Sequence, residues 1–413
     1  MKAAERARPD ICPFPLNQAQ GNLTRLRTKV PTVEILDPAA DRQRIAQLLQ
    51  TPTVTFIDGW TQAAPELETL GRLDHVDPET DPPKPIDVSD DRTLEHRTRY
   101  IYYPWRASLV RLPDGDIYYR LKTARNRHLL TGREQQLWGS AVIAVAGLSV
   151  GSSALTAAAL TGARRFRIAD SDELAPTNLN RIVGSVTDLG VSKVELARRR
   201  ILEGDPYSQI ATFPDGYRPD LAEAFLGSAF PGPTEELATS VVIEEIDDVA
   251  MKIDMRRRAR AAGVPVLSAT DMGEDVVLDV ERYDLEPDYP IFHGRGEGFS
   301  AGDAVDPAQR LRMALAIVGD EVTPRMAFSA SQLGRSVTSW PQLGSTAAMA
   351  GALVATAARN IVCGRPVRSG RYRFGIEEIL LGSDAGTHEG WNELGRAEFA
   401  SAAQAMGEGA GNS

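Results

Sequence analysis

The chain has 413 residues, 42% of them hydrophobic, with 46 Lys and Arg against 56 Asp and Glu and a net charge of −10. That length predicts two or three folding units with ordinary cores, and the acidic balance argues against a general nucleic-acid binder, which carries a basic footprint. The two cysteines, Cys12 and Cys363, exclude a CxxC zinc ribbon and a disulfide framework.

Residues 1–30 read as irregular. Their opening, MKAAERARPDICPFP, has no apolar core and does not read as a signal peptide, so a cytoplasmic protein is expected. VEILD (Val33–Asp37), DRQRIAQLLQ (Asp41–Gln50) and VTFID (Val54–Asp58) predict a small α/β element. The Pro- and Asp-rich stretch 76–92 marks a linker. ASLVRL, the turn Pro113–Asp116 and IYYRL predict a hairpin, because Asp-Gly suits a tight turn.

From Ser140 the pattern alternates. AVIAVAG, RFRIAD, VVIEEID and VPVLSAT read as strands, and SSALTAAALTGA, KVELARRRILEGD and AMKIDMRRRARAAG as helices. Such alternation predicts an α/β fold: a Rossmann-like, mostly parallel sheet with helices on both faces. An excursion from the sheet is expected over Asp279–Ser300, helix over 303–335 and Gly344–Val362, a strand near Arg371–Ile376, and a partly disordered tail over 381–413. Gly344–Val362 is rich in Ala, Gly and Thr and holds Arg359. A membrane span needs about 20 strongly apolar residues, so no membrane segment is expected. The runs Arg198–Arg200 and Arg256–Arg258 read as solvated helix faces.

The stretch VAGLSVGSS admits two chemistries. G-L-S-V-G fits the G-x-S-x-G elbow of a serine hydrolase, with Ser149 as nucleophile. It also fits a phosphate-cradling turn, in which Gly147 and Gly151 allow close approach and Ser149 adds a hydroxyl. The downstream residues favour the second. A nucleotide unit needs an acid at the end of the next strand, about 20 residues on, and Asp170 lies 23 residues after Gly147. A hydrolase would need a later histidine; His293 and His388 follow, neither in a distinctive sequence setting.

Beyond the loop come Asp170-Ser171-Asp172, then Asn178-Leu179-Asn180-Arg181, then Lys193. This series resembles the ThiF/MoeB/HesA family of adenylyltransferases, which share the fold of ubiquitin-activating enzymes. The resemblance covers roughly residues 120–375. It implies an adenylation domain over 120–380 behind an N-terminal α/β extension over 1–119. It further implies that Asp170, beside Asp172, binds the ATP ribose, and that Asn178, Arg181 and Lys193 meet the phosphates. Asp247, with Asp248 as its alternate, would hold Mg2+. Arg127, or less favourably Arg125, would reach across a homodimer.

Adenylation brings an anionic carboxylate onto the α-phosphate of ATP, so positive groups and a metal must offset the accumulating charge. The expected reaction yields an acyl-adenylate and pyrophosphate. The carboxylate would be the C-terminus of a small ubiquitin-like or sulfur-carrier protein, or of a peptide.

The sequence departs from the family in three ways. Ser149 and Val150 stand where glycines are usual. Asp288 and Ile291 stand where a zinc-binding CxxC pair would lie, so no zinc is expected. No crossover cysteine exists to form a thioester, and Cys363 reads as a buried small hydrophobe. IYYPWRASLV and LDVERYDLEPD also resemble a subgroup joined to nitroreductase-like flavin domains, which implies a separate redox partner. Two alternatives remain open at this stage: an NAD(P)-dependent oxidoreductase using Asp170, and a non-catalytic nucleotide-binding dimer.

Overall fold

The first sheet is built from short strands between Glu34 and Pro113: β1 (Glu34–Leu36), β2 (Thr55–Asp58), β3 (Thr98–Tyr103) and β4 (Ser108–Pro113). Their order is β1-β3-β4-β2, with β2–β4 parallel and the other pairs antiparallel. Helix α1 (Arg42–Gln50) buries Ile45 and Leu48 against Leu36 and Leu109. The computed structural model describes residues 32–73, 76, 91–227, 237–296, 298–299, 313–314, 316–319, 322–382, 397 and 401. All but Thr32 fall in a compact unit spanning Val33–Ser413. Most of the expected linker 76–92, part of 303–335 and nearly all of the tail beyond 382 lie outside the described residues.

Helix α2 (Trp60–Gly71) has no counterpart in the sequence expectation, because Pro65 interrupts its pattern. Trp60, Ala63 and Leu67 nevertheless pack against Ile117, and that burial outweighs the missing backbone donor. After α3 (Asp91–His96) comes a correction. The hairpin is formed by β3 and β4 around Pro104–Arg106, one step earlier than expected. Asp114 instead caps helix α4 (Gly115–Lys122), its carboxylate accepting from Ile117 N at 3.2 Å. The residues that suit a tight turn also suit a helix start, and burial of Ile117 selects the helix. The chain therefore passes 119/120 inside a helix.

Helix α5 (Gly132–Ser140) leads into the main sheet. Along the chain follow β5 (Val142–Ala146), α6 (Val150–Leu160), β6 (Arg165–Ala169), α7 (Lys193–Gly204), β7 (Gln209–Phe213), α8 (Ala222–Leu226), β8 (Val241–Glu244), α9 (Val249–Ala261), β9 (Val266–Met272) and β10 (Asp275–Glu281). Then come α10 (Pro324–Ser331), α11 (Gly344–Val362), β11 (Gly370–Phe374) and α12 (Ile376–Leu381). The strand order is β11-β10-β9-β8-β5-β6-β7. Strands β5 to β9 are parallel, and β10 and β11 close one side antiparallel. The expected α/β class with a mostly parallel sheet holds.

Strand β10 shifts the start of the excursion from Asp279 to beyond Glu281. It carries the acids Asp275, Asp279 and Glu281, and all seven of its residues are buried. Asp275 pairs with Arg373, Asp279 with Arg371 and Glu281 with Arg256. Arg256 itself is 0% exposed, so the expectation of a solvated Arg256–Arg258 face fails at its first residue.

Both faces of the sheet are covered. Helices α6, α7 and α11 pack on one, through residues such as Leu155, Ile201 and Val354. Helices α8 and α9 and the turn at Ile291–Phe292 pack on the other. In α11 a Cβ on Gly351 would stand 2.5 Å from Ala154 N. Glycine there lets the backbones of α11 and α6 meet, which explains the small residues of this helix. Among the described residues no helix is long and apolar enough to cross a membrane.

Candidate nucleotide site

From β5 the chain builds β6 and β7 on one side and β8 onward on the other. In an open α/β sheet such a reversal leaves a ligand crevice beyond the strand C-termini. The turn Gly147-Leu148-Ser149 lies there, at the entry to α6. Gly147 has φ +85, and a Cβ would meet Glu245 O at 2.2 Å. A side chain is excluded both by the left-handed backbone and by space. At Gly151 a Cβ would lie 3.0 Å from Val145 Cγ1, so the first turn of α6 sits tightly on β5.

Asp170, at the end of β6, clamps this loop. Its Oδ2 accepts from Leu148 N at 2.6 Å and its Oδ1 from Asp172 N at 2.8 Å. Burial raises the Asp170 carboxyl above the usual range, against the pull of these donors and Lys193. Lys193 starts α7 and is only 7% exposed; its Nζ lies 2.7 Å from Asp172 Oδ2 and 3.9 Å from Asp170 Oδ1. Asp172 is 65% exposed, so this acid faces the solvent side of the crevice.

Between them runs the Asn-Leu-Asn-Arg turn. Asn178 Oδ1 accepts from Ala175 N at 2.9 Å, and the Asn178 carbonyl accepts from Arg181 N at 3.0 Å. Asn178 thus shapes the turn that presents Arg181. Arg181 Nε donates to Ser149 Oγ at 2.7 Å. Asn180 Nδ2 donates to Gln342 O at 2.9 Å, tying the turn to the segment before α11.

Across the crevice, the two candidate aspartates after β8 separate by role. Asp248 caps α9, its Oδ1 accepting from Ala250 N at 2.8 Å and Met251 N at 3.1 Å. Asp247 is exposed and within electrostatic reach of Arg181. Among the described residues no group of three His, Cys, Asp or Glu side chains is arranged to hold a metal.

Three neighbours were not singled out from sequence. Asp271, at the end of β9, is 2% exposed, and burial pushes its carboxyl up to about 6 against the pull of Gln342 and Arg181. Gln342 Nε2 donates to Asp271 Oδ2 at 3.2 Å. Glu245 accepts from Ala269 N at 2.8 Å, and burial holds its carboxyl well above the usual range. Asp271 carries a signal that could have found it, an acid at the C-terminal end of a parallel strand. Gln342 carries none.

Ser149, Asp170, Asp172, Arg181 and Lys193 are brought together around the turn that Gly147 opens, with Asp247 within electrostatic reach of Arg181, whereas Gly151 is buried against Val145 and Asn178 contacts only its own turn. Arg127 and Arg125 do not reach it within their own chain. The neighbouring Asn126 bonds Thr161 O at 3.1 Å, beside the far end of α6, an 11-residue helix about 16 Å long. The elbow reading also loses its support. Ser149 Oγ meets Arg181 and Gln342, while His293 is bound to Asp279 and Tyr289. His388 lies outside the described residues. Cys363 is half-buried, its Sγ 3.6 Å from Glu134 O, and burial raises its thiol pKa. Backbone N–H groups at the start of α6, with Arg181 and Lys193 on its flank, form a cradle suited to phosphate.

Comparison with known proteins shows the family. An uncharacterized protein of Mycobacterium tuberculosis is 34% identical over 339 residues, covering 81% of this chain and 44% of the relative. The tRNA threonylcarbamoyladenosine dehydratase of Escherichia coli is 28% identical over 143 residues, 34% of this chain and 50% of that protein. A probable molybdopterin-synthase adenylyltransferase of Porphyra purpurea is 31% identical over 97 residues, 22% of this chain and 25% of that protein. The chain spans less than two thirds of each of these relatives. The ThiF family model matches residues 123–378, more than half of the chain, and the protein belongs to the ThiF family.

Proposed function

We propose that the chain is an ATP-dependent adenylyltransferase. A carboxylate oxygen of the substrate attacks the α-phosphorus of ATP. The bond to the β-phosphate bridging oxygen breaks, and an acyl-adenylate and pyrophosphate result. The nucleophile is already ionised, so the step needs no general base. The observation that carries the reading is the convergence of Arg181, Lys193 and the start of α6 on one crevice at the strand reversal, with Asp247 on the opposite side.

In this reading Asp170 and Asp172 receive the ribose, and Asn178, Arg181 and Lys193 bind the triphosphate. Ser149 gives up its bond to Arg181 when phosphate enters. Asp247 would hold Mg2+, which would supply positive charge against the departing pyrophosphate. Carboxylate oxygens are hard donors and fit that cation. Arg127 enters the site of a second copy in a homodimer, consistent with its distance from its own crevice. The substrate is the C-terminus of a small ubiquitin-like or sulfur-carrier protein, or of a peptide. An NAD(P) oxidoreductase would use Asp170 but leaves Arg181, Lys193 and Asp247 without a task.

Isothermal titration with ATP and Mg2+, beside NAD and NADP, tests the reading. ATP binding that Mg2+ strengthens and that weakens in Asp247→Ala is expected. Binding of NAD without any response to ATP would sink it.

A further inference from the structure

Asp271 is a buried acid that its own chain does not satisfy. It is 2% exposed, and one oxygen is engaged by Gln342 Nε2 at 3.2 Å. The other, Oδ1, is buried without a hydrogen-bond partner. A buried carboxylate oxygen left in this state costs free energy unless a ligand completes it. Arg181 is the cation whose field reaches Asp271, and Arg181 itself donates to Ser149, Asn180 and the Thr177 carbonyl.

The placement is informative. Strands β8 and β9 are parallel and pair Ile243 with Leu267. Asp247 and Asp271 are each four residues further on, Asp247 past the end of β8 and Asp271 at the last-but-one position of β9, where it pairs with Val276 of β10. Arg181 lies within electrostatic reach of both. A second carboxylate facing a triphosphate would repel it, unless a cation stands between them. Mg2+ is commonly held by one or two carboxylates together with substrate phosphates, and water completes its octahedron.

We propose that Asp271 is a second carboxylate ligand of the divalent cation that accompanies ATP, acting together with Asp247 through its Oδ1. The inference rests on the adenylation reading above. It assigns Gln342 the task of orienting the Asp271 carboxylate and keeping Oδ1 free for the metal. Such an orienting partner typically affects metal affinity by about 10–100-fold.

The test uses the full chain and Mn2+ in place of Mg2+, with ATP binding followed by calorimetry and bound Mn2+ by electron paramagnetic resonance. In Asp271→Asn, the Mn2+ concentration that half-saturates the ATP-bound protein should rise at least about tenfold. Binding of ATP alone in EDTA should be unchanged or tighter, because a repelling charge is gone. Equal loss with and without Mn2+ would reduce Asp271 to a positioning residue and overturn the proposal. An unchanged Mn2+ requirement would also overturn it while leaving adenylation standing. Wild-type protein that binds no ATP even with Mn2+ would defeat both readings. If Asp271→Asn fails to fold, wild-type protein labelled with [4-13C]aspartate decides. Two 13C carboxylate couplings to bound Mn2+ support the assignment, and a single one overturns it.

Discussion

Arg181 Nε donates to Ser149 Oγ at 2.7 Å, so the side chain expected to meet phosphate rests on the turn that opens α6. In the adenylation reading the hydroxyl holds the guanidinium until phosphate enters and is not a nucleophile. Arg181→Ala should weaken Mg-ATP binding about a hundredfold, the scale for losing a charged contact in a desolvated site. Ser149→Ala should change it less than about tenfold, since one neutral hydrogen bond is worth about 1 kcal/mol. Calorimetric titration of both variants checks the difference. A larger loss in Ser149→Ala than in Arg181→Ala would reverse these assignments.

Gly147 offers a second check on the loop. With φ +85 and Glu245 O at 2.2 Å from a modest Cβ, Gly147→Ala must displace the junction of β5 and β8. Backbone strain alone costs about 1–3 kcal/mol, and the collision adds to it. Urea unfolding should show that loss, accompanied by loss of ATP binding. Retention of wild-type stability would mean the loop is far more pliant than its packing indicates.

The order of strands and helices was legible because buried parallel strands read as apolar runs. The residues proposed to meet phosphate were legible as a set because they follow one another along a single βαβ unit, from Gly147 to Lys193. Elements were missed where tertiary contacts overrule local pattern. Strand β10 hides behind Asp275, Asp279 and Glu281, each neutralised by an arginine distant in sequence. Helix α4 hides behind an Asp-Gly turn signal. Asp271 and Gln342 come from opposite sides of a 71-residue separation, and no spacing along the chain announces such a pair.

Acid should loosen the first sheet from α7 of the main sheet. Glu203 of α7 receives Trp105 Nε1 at 2.5 Å and Arg106 Nε at 2.8 Å, and Tyr103 OH donates to Leu202 O at 3.0 Å. Burial raises the Glu203 carboxyl, but Arg106 and Trp105 outweigh it and hold it below its ordinary value of 4.5. The folded state therefore binds the proton less readily than the unfolded state. The contribution is fully present above the unfolded value and is lost as pH falls through the folded one. Glu203→Gln should cost about 1–2 kcal/mol at neutral pH, with the gap to wild type closing as pH falls below the ordinary value of 4.5 and through the lowered folded one. Urea unfolding across pH 3–7, followed by tryptophan fluorescence, measures both. A gap independent of pH would show that the charge on Glu203 is immaterial.

The ion cluster behind the sheet should be the costliest to break. Arg256 is 0% exposed and lies between Glu244 and Glu281, with Nε 2.6 Å from Glu281 Oε2. Its guanidinium carbon is 3.8 Å from the centre of the Phe292 ring, and Glu281 Oε1 accepts from Phe292 N at 2.6 Å. Arg256 therefore ties α9 to β10 and to the turn that begins the excursion from the sheet. Removing one partner of a buried ion pair leaves an uncompensated charge and costs about 3–5 kcal/mol. Arg256→Met should lose stability on that scale. Adding Glu281→Gln should recover part of it, because the second change removes one of the stranded charges. Denaturant unfolding of the single and double variants gives the coupling directly. If the double variant is the less stable of the two, the cluster is held by packing around Phe292 and not by charge.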